Sequence, residues 1–297
     1  SNAIWAMVFA AIVIFAVGLP ICHYSAKHSI DMDLLTRAAG FGYVGSTFTS
    51  LIYASFTFIF LALETAIMAQ AVKLCFGVPL WLGYILCSVV VIPIVFYGVT
   101  AINRFHRWTQ LIWLVLLIVP FYYVFTRQPD AVQMLVNFKG EVSRSNGFDW
   151  LHFGVAAGIS FSLVAQIGEQ VDYLRFMPDY TKKHRLSWWG ALLGAGPGWI
   201  ILGGAKQIVG TFLAAMAVKY GVDYDRAGEP IQMYLAGYRY VFAKPTLVLA
   251  AATFFVIVSQ IKINVTNAYA GSLAWSNFFA RVTHSHPGRV VWVVFNT

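Results

Sequence analysis

The segment from Val164 to Pro178 carries amide and carboxylate side chains at the end of an otherwise apolar stretch. They are Gln166, Glu169, Gln170 and Asp172. Polar and ionisable groups are costly inside a bilayer, so they are rare there and usually face a cavity or a pathway. Small residues stand just upstream: Gly154, Gly158, Ser160 and Ser162. Since such residues weaken a helix where a cavity needs exposed backbone, we predict a broken membrane helix that binds a small molecule.

Gln166 and Glu169 are three residues apart and share a helix face, with Ser162 one turn before Gln166. Amide and carboxylate groups can read the N–H and C=O edge of a heterocycle. Such a site discriminates strongly, because a wrong ligand leaves buried groups unpaired. A purely structural alternative is that Glu169 pairs with an arginine such as Arg175, or caps the broken helix.

A second candidate pair is Phe60 and Glu64, one helical turn apart in another apolar segment. An aromatic ring beside a carboxylate suits a flat ligand that both stacks and donates hydrogen bonds. The alternative is that Glu64 pairs with a basic residue on another helix.

The third cluster is Ser259, Lys262 and Asn264, deep in a later apolar segment. Two interpretations of Lys262 are open. It is a tethered cation or a proton carrier, since a buried lysine changes its protonation readily. Alternatively, it only pairs with Glu64 or Glu169.

The composition indicates an integral membrane protein. Hydrophobic residues make up 59% of the chain and charged residues 11%, whereas a soluble domain has about 25% charged residues. The formal charge of +8 lies in short loops between apolar segments, a pattern that sets membrane topology, so we expect no nucleic-acid partner. The cysteines, Cys22, Cys75 and Cys87, are odd in number and lack CxxC spacing, which predicts neither a disulfide nor a metal site.

Apolar segments of about 20 residues, the length that crosses a bilayer, recur along the chain. The seven complete segments predicted to span the bilayer are 4–24, 47–72, 79–100, 108–126, 151–174, 187–217 and 245–272. An eighth segment begins near residue 290. The overlong 187–217 requires a kink near Pro197 or a tilt. We therefore predict an all-α, polytopic fold with one membrane domain over residues 1–297, an internal part of a longer protein in the plasma (inner) membrane.

Three segments resemble the nucleobase:cation symporter-1 family, which includes cytosine, purine, allantoin and hydantoin permeases. Residues 30–46 (IDMDLLTRAAGFGYVGS) are similar to a loop in which an Asp-containing stretch precedes Arg-Ala, an FG pair and Gly-Ser. Residues 171–176 (VDYLRF) resemble the Pro-Asp-aromatic-x-Arg-aromatic end of the sixth helix, with Val171 replacing the proline. Residues 264–273 (NVTNAYAGSL), with 276–278 (SNF), resemble the end of the eighth helix in cytosine-permease-type members.

The resemblance implies a leucine-transporter-like fold, with two five-helix inverted repeats and substrate held at broken first and sixth helices. It covers the family's second helix to the start of its ninth, so we expect the first helix to be missing here. The family's third-helix aromatic and glutamine positions match Phe60 and Glu64. The stacking tryptophan of its sixth helix falls near Leu163, so that ring is absent.

The eighth helix of the family supplies a substrate asparagine and a sodium-ligating hydroxyl, which match Asn264 and Ser259. Lys262 stands where the family has a small residue, one turn from that hydroxyl, and a lysine there could replace sodium electrostatically. These departures bear on both the coupling ion and the substrate.

Together these patterns predict a cation-coupled secondary transporter of a nucleobase or related small nitrogenous compound, working by alternating access. The predicted substrate contacts are Phe60, Glu64, Ser162, Gln166, Glu169 and Asn264. Ser259 and Lys262 are assigned to the coupling cation, sodium or a proton, and no other cofactor is expected. The sequence shows no arrangement of catalytic residues, so no enzyme is predicted. The alternative is a small-molecule sensory domain of a membrane histidine kinase, with a signalling domain C-terminal to this chain.

Overall fold

The computed structural model describes residues 2–130, 133, 147–285 and 287–297. Every regular element in these ranges is helical, and the chain forms two compact units. The predicted loop between 126 and 151 lies mostly outside the described residues. The first unit comprises Ser1–Ile59, Gly147–Gln207 and Ala270–Asn296; the second comprises Phe60–Asn146 and Ile208–Tyr269.

Six described helical segments are long and apolar enough to cross a bilayer: Asn2–His28, Met32–Phe76, Val99–Arg127, Trp150–Leu174, Trp199–Lys219 and Pro245–Thr283. The prediction of a seventh, 79–100, is not met at this length, because the chain breaks there into Leu80–Val89 and Ile92–Phe96. Pro93 explains the break, since proline lacks an N–H and its ring clashes with the carbonyl four residues earlier.

Fourteen α-helices lie in the described ranges. In chain order the first ten are α1 (Asn2–His28), α2 (Met32–Thr36), α3 (Gly42–Phe76), α4 (Leu80–Val89), α5 (Ile92–Phe96), α6 (Val99–Arg127), α7 (Trp150–Phe161), α8 (Gln166–Leu174), α9 (Arg185–Ala195) and α10 (Trp199–Lys219). The expected kink near Pro197 is confirmed as the break between α9 and α10. After them come α11 (Tyr224–Ala227), α12 (Pro230–Tyr238), α13 (Pro245–Thr283) and α14 (Arg289–Asn296).

The first unit is organised around α1, which packs along α7 and α8. Its buried positions recur every four residues, and most are small: Ala6, Ala10, Ile14, Gly18, Cys22 and Ala26. Small residues let membrane helices approach closely, which is where packing in lipid gains its energy. Farther along α1, Cys22 joins Leu174 of α8 and Leu192 of α9 in one apolar cluster.

The helix that was predicted to be broken near Ser162 is instead continuous, with a tighter 3₁₀ turn in its middle. A four-residue 3₁₀ turn, Ser162–Ala165, joins α7 to α8. The Ser160 hydroxyl donates to the Ala156 carbonyl at 3.1 Å and the Ser162 hydroxyl to that of Ile159 at 2.7 Å. Serines bonded back to their own helix distort it without unwinding it, so the serines produce a change of pitch where we expected exposed backbone.

Helix α7 begins at a capping aspartate just outside the apolar segment. The Asp149 carboxylate accepts hydrogen bonds from the backbone of Leu151 at 2.8 Å and of His152 at 3.3 Å. It also contacts the His152 ring, Nδ1 to Oδ2, at 2.8 Å. This hydrogen bond from His152 holds the pKa of Asp149 below its usual value. The cap satisfies N–H groups that a helix end would otherwise leave unpaired.

The second unit packs parts of α3, α6, α10 and α13 around the short helix α12. Ile231 and Tyr238 of α12 are buried with Ala71 of α3 and Phe255 of α13. The Tyr238 hydroxyl donates to the Leu116 carbonyl of α6 at 2.7 Å. This second core holds α3, α6 and α13, which carry the polar groups described below.

Gly168 offers a test of the packing in the first unit. A Cβ at Gly168 would lie 2.9 Å from Cε2 of Tyr53, whereas a Cβ at Gly154 would meet nothing within 4 Å. We expect Gly168→Ala to lower the free energy of unfolding by about 1–3 kcal/mol through overpacking. The melting temperature of the purified protein measures this, with Gly154→Ala as the control. Equal melting temperatures for the two variants would show that the Tyr53 ring moves aside at no cost.

Candidate functional site

Helix α13 presents buried polar side chains on one face of the second unit. They are Thr253, Gln260, Asn264 and Asn267, with relative exposures of 2, 9, 0 and 2%. Their spacings of seven, four and three residues keep them on one side of a helix. Each has a polar atom without a hydrogen-bond partner among the described residues: Thr253 Oγ1, Gln260 Oε1, Asn264 Oδ1 and Asn267 Nδ2. A buried polar atom left unpaired costs about 1–3 kcal/mol, so this face is suited to a bound polar molecule.

Asn264 is oriented by a neighbouring helix. Its Nδ2 donates to Oγ1 of Thr65 on α3 at 3.1 Å. With the amide nitrogen engaged, the carbonyl Oδ1 is the group left to accept a hydrogen bond from a ligand N–H. This geometry agrees with the role predicted for Asn264.

Phe60 and Glu64 lie on the same helix as Thr65, one turn apart, and both are half-buried. The second unit therefore carries Phe60, Glu64 and Asn264 of the predicted substrate contacts, and also both predicted cation groups, Ser259 and Lys262.

Lys262 is 8% exposed and faces α6. Its Nζ lies 3.1 Å from Oε1 of Gln110, 3.2 Å from Oγ1 of Thr109 and 3.4 Å from the His106 carbonyl oxygen. It also lies 3.5 Å from Nδ1 of His106. No carboxylate in the described part of the chain forms an ion pair with Lys262, so the alternative that it pairs with Glu64 or Glu169 is wrong.

Ser259 lies one turn before Lys262 and also faces α6. Its hydroxyl oxygen accepts a hydrogen bond from the Trp113 indole nitrogen at 3.3 Å. His106 was missed in the sequence because the predicted span 108–126 began after it, whereas Thr109 and Gln110 lay inside that span and were not singled out. The signal was present: His106, Thr109 and Gln110 stand at i, i+3 and i+4, which is one helix face.

The remaining predicted contacts lie in the first unit. Glu169 is buried at 2% exposure, Gln166 is half-buried, and Ser162 is exposed with its hydroxyl bonded to its own helix. Arg175, the arginine suggested as an ion-pair partner of Glu169, pairs with Asp31 at 3.3 Å. The structure thus divides the predicted substrate contacts three and three between the units.

Asp172 and Asp31 have a structural role in the first unit. The Asp172 carboxylate accepts from the Met32 backbone N–H at 3.2 Å and from the Tyr53 hydroxyl at 3.3 Å. The Met32–Asp172 hydrogen bond and the Asp31–Arg175 ion pair join segments 30–46 and 171–176, the first two that carry the family resemblance.

A buried ionic cluster lies nearby in the same unit. Asp33 pairs with Arg281 of α13 and with Arg37 at 3.3 Å, and it accepts from the Ser50 hydroxyl at 3.2 Å. The guanidinium groups of both arginines lie over the ring of Tyr43, at 5.1 and 5.2 Å from its centre. This cluster holds the start of α3 to the end of α13.

Comparison with solved structures finds the fold in a known transporter. The chain is similar to Mhp1, a nucleobase-cation-symport-1 family transporter, solved in a closed conformation with bromovinylhydantoin bound. The TM-score is 0.63 at 18% sequence identity, and the match covers 99% of this chain and 63% of that one. The predicted leucine-transporter-like, multi-pass membrane fold is thereby confirmed. No protein-family model and no curated protein matches the sequence.

Proposed function

We propose that this chain is part of a cation-coupled secondary transporter for a small nitrogenous compound of the nucleobase kind, located in the plasma (inner) membrane. The fold is that of a transporter, and the observation that carries the substrate class is Asn264. It is a fully buried amide whose nitrogen is held by Thr65 and whose oxygen has no partner among the described residues. A ring N–H matches that oxygen in chemistry, because an amide oxygen can only accept a hydrogen bond.

The proposed contacts have distinct roles. Phe60 offers a ring to stack on a flat heterocycle, while Glu64 accepts hydrogen bonds from its N–H groups. In the first unit, Gln166 and Glu169 offer an amide and a carboxylate and Ser162 a hydroxyl, and these stay sequence-based predictions of substrate contact. The proposed mechanism is alternating access, in which the bound substrate and cation are exposed to one side of the membrane at a time.

Ser259 and Lys262 are proposed to serve the coupling cation. They lie one turn apart on α13 and both contact α6. A movement between these two helices would change the surroundings of both groups together. No observation on the described residues favours the sensory-domain alternative.

The proposal is tested by uptake of a radiolabelled panel (cytosine, uracil, purines, allantoin and hydantoins) in cells expressing the full-length protein. Proton and sodium gradients are collapsed in turn. We expect at least one compound to accumulate in a gradient-dependent way. No accumulation of any of them by a protein that reaches the membrane would contradict the proposal.

Glu64→Gln is expected to lower uptake of the accumulated compound by about 10-fold at unchanged protein level, because a charged acceptor is replaced by a neutral one of the same size. The matched control is Glu229→Gln, whose carboxylate pairs with the exposed Arg226. Uptake that Glu64→Gln leaves unchanged would remove Glu64 from the site.

A further inference from the structure

The contacts of Lys262 point to the identity of the coupling ion, an inference that rests on the proposed function. All the acceptors around its ammonium group are uncharged: the Gln110 amide, the Thr109 hydroxyl, the His106 carbonyl and the His106 ring. In most buried lysine sites a carboxylate fixes the charge. Because no carboxylate pairs with it, the Lys262 ammonium is held only by hydrogen bonds to neutral groups. A neutral amine can also form hydrogen bonds with these groups, so Lys262 is able to release its proton.

His106 is the titratable group within hydrogen-bonding distance of Lys262 in the described chain. On the other helices packed against α13, the charged or titratable groups include Glu64 of α3, beside Thr65, and the phenols of Tyr234 and Tyr238 on α12, which lie in one cluster with Phe255. On α4, the buried Cys87 thiol packs with Ile257 and Ile261. On α6 itself, Arg104 and Arg107 are exposed. The exchange of a proton therefore centres on the Lys262–His106 pair.

The geometry allows this pair one extra proton at a time. Nδ1 of His106 can accept from the Lys262 ammonium at 3.5 Å only when that nitrogen is unprotonated, which places the ring proton on Nε2. A doubly protonated ring would set its positive charge against the ammonium. The Nε2 atom is buried and has no acceptor among the described residues, so release of its proton requires a water molecule or a substrate to reach it.

We propose that Lys262 and His106 form the proton-binding site that couples transport to a proton gradient. On release, Nζ of Lys262 gives its proton to Nδ1 of His106 while Nε2 of the same ring gives its own proton to water. The amine becomes neutral and the imidazole stays neutral in its other tautomer. One proton leaves the pair, and one positive charge leaves with it.

The same contacts disfavour a sodium ion beside Ser259. The Trp113 indole N–H occupies one of the two lone pairs of the Ser259 hydroxyl oxygen. Lys262 lies one turn away on the same helix. A protonated lysine at this position repels a second cation and supplies the positive charge that a sodium ion would bring.

The test uses the full-length protein in proteoliposomes, with the compound that cells accumulate and with proton or sodium gradients imposed separately. We expect an inward proton gradient to drive accumulation and a sodium gradient to have no effect. Accumulation driven by sodium alone would overturn the inference while leaving the transporter proposal intact. If neither gradient drives accumulation and internal substrate does not exchange with external substrate, the transporter proposal itself is refuted.

Lys262→Met is expected to lower proton-driven accumulation at least 10-fold while retaining exchange of internal for external substrate. The matched control is Lys219→Met, an exposed lysine at the end of helix α10, which should accumulate like the wild type. Full proton-driven accumulation in Lys262→Met would overturn the assignment.

If Lys262→Met does not fold, His106→Gln serves as the second variant. It retains an acceptor for the ammonium but cannot relay a proton, so proton-driven accumulation should fall while substrate exchange continues. Unchanged accumulation and an unchanged pH profile in His106→Gln would remove the histidine from the site.

Discussion

Asn264→Leu is expected to weaken substrate binding by about 10- to 100-fold, the equivalent of a lost hydrogen bond in a buried site. The substitution removes the carbonyl oxygen proposed to accept from the substrate, and it also strands the Thr65 hydroxyl that the amide nitrogen contacts. Equilibrium binding of the radiolabelled compound to the purified full-length protein measures the change in Kd.

Thr266→Val is the matched control for Asn264→Leu. Thr266 lies two residues along the same helix, and its hydroxyl donates to the Ile263 carbonyl of its own helix at 2.6 Å. Its loss should leave Kd unchanged. If Asn264→Leu binds the compound as tightly as Thr266→Val, Asn264 is not a substrate contact.

Arg281→Leu is expected to destabilise the protein by about 3 kcal/mol, because it removes the buried ion-pair partner of Asp33 and leaves that carboxylate with the more exposed Arg37 and the Ser50 hydroxyl. The side chains of this ion pair are 7 and 9% exposed, and Arg281 also donates to the Ser46 hydroxyl at 2.6 Å. The melting temperature of the purified protein should fall clearly. Arg226→Leu, which breaks the exposed pair with Glu229, should change it little.

A second substitution separates the lost charge pair from lost packing. Adding Asp33→Asn to Arg281→Leu removes the stranded charge and should recover part of the lost stability, an interaction that a double-mutant cycle measures. A melting temperature for Arg281→Leu equal to that of Arg226→Leu would show that the buried pair contributes nothing.

Hydrophobic length predicted most of the membrane-spanning helices, because the bilayer leaves few alternatives to a long apolar helix. The helix over Asn2–His28 extends only a few residues beyond the predicted 4–24. The predicted span 79–100 is shorter and interrupted in the structure, because Pro93 divides the apolar run into α4 and α5. The prediction was also incomplete at Ser160 and Ser162, where side chains bonded to their own helix keep the backbone closed.

Pairings between distant residues could not be read from the sequence. Asp31 and Arg175 are 144 residues apart. The local sequence does not show whether Arg175 pairs with Asp31 or with Glu169. The partners of Lys262 were missed for the same reason, since His106 lies 156 residues away in what looked like a loop. The sequence shows which residue types could form the site, whereas only the structure shows which residues surround them. Their roles in binding remain predictions.

Transport itself is measured most directly by counterflow. The purified full-length protein is reconstituted in vesicles loaded with an unlabelled compound that cells accumulate, and the labelled compound is added outside. We predict that vesicles transiently gather many labelled molecules per protein molecule. Retention of no more than one labelled molecule per protein, whatever the internal load, would show a binding protein and contradict the assignment of this chain to a transporter.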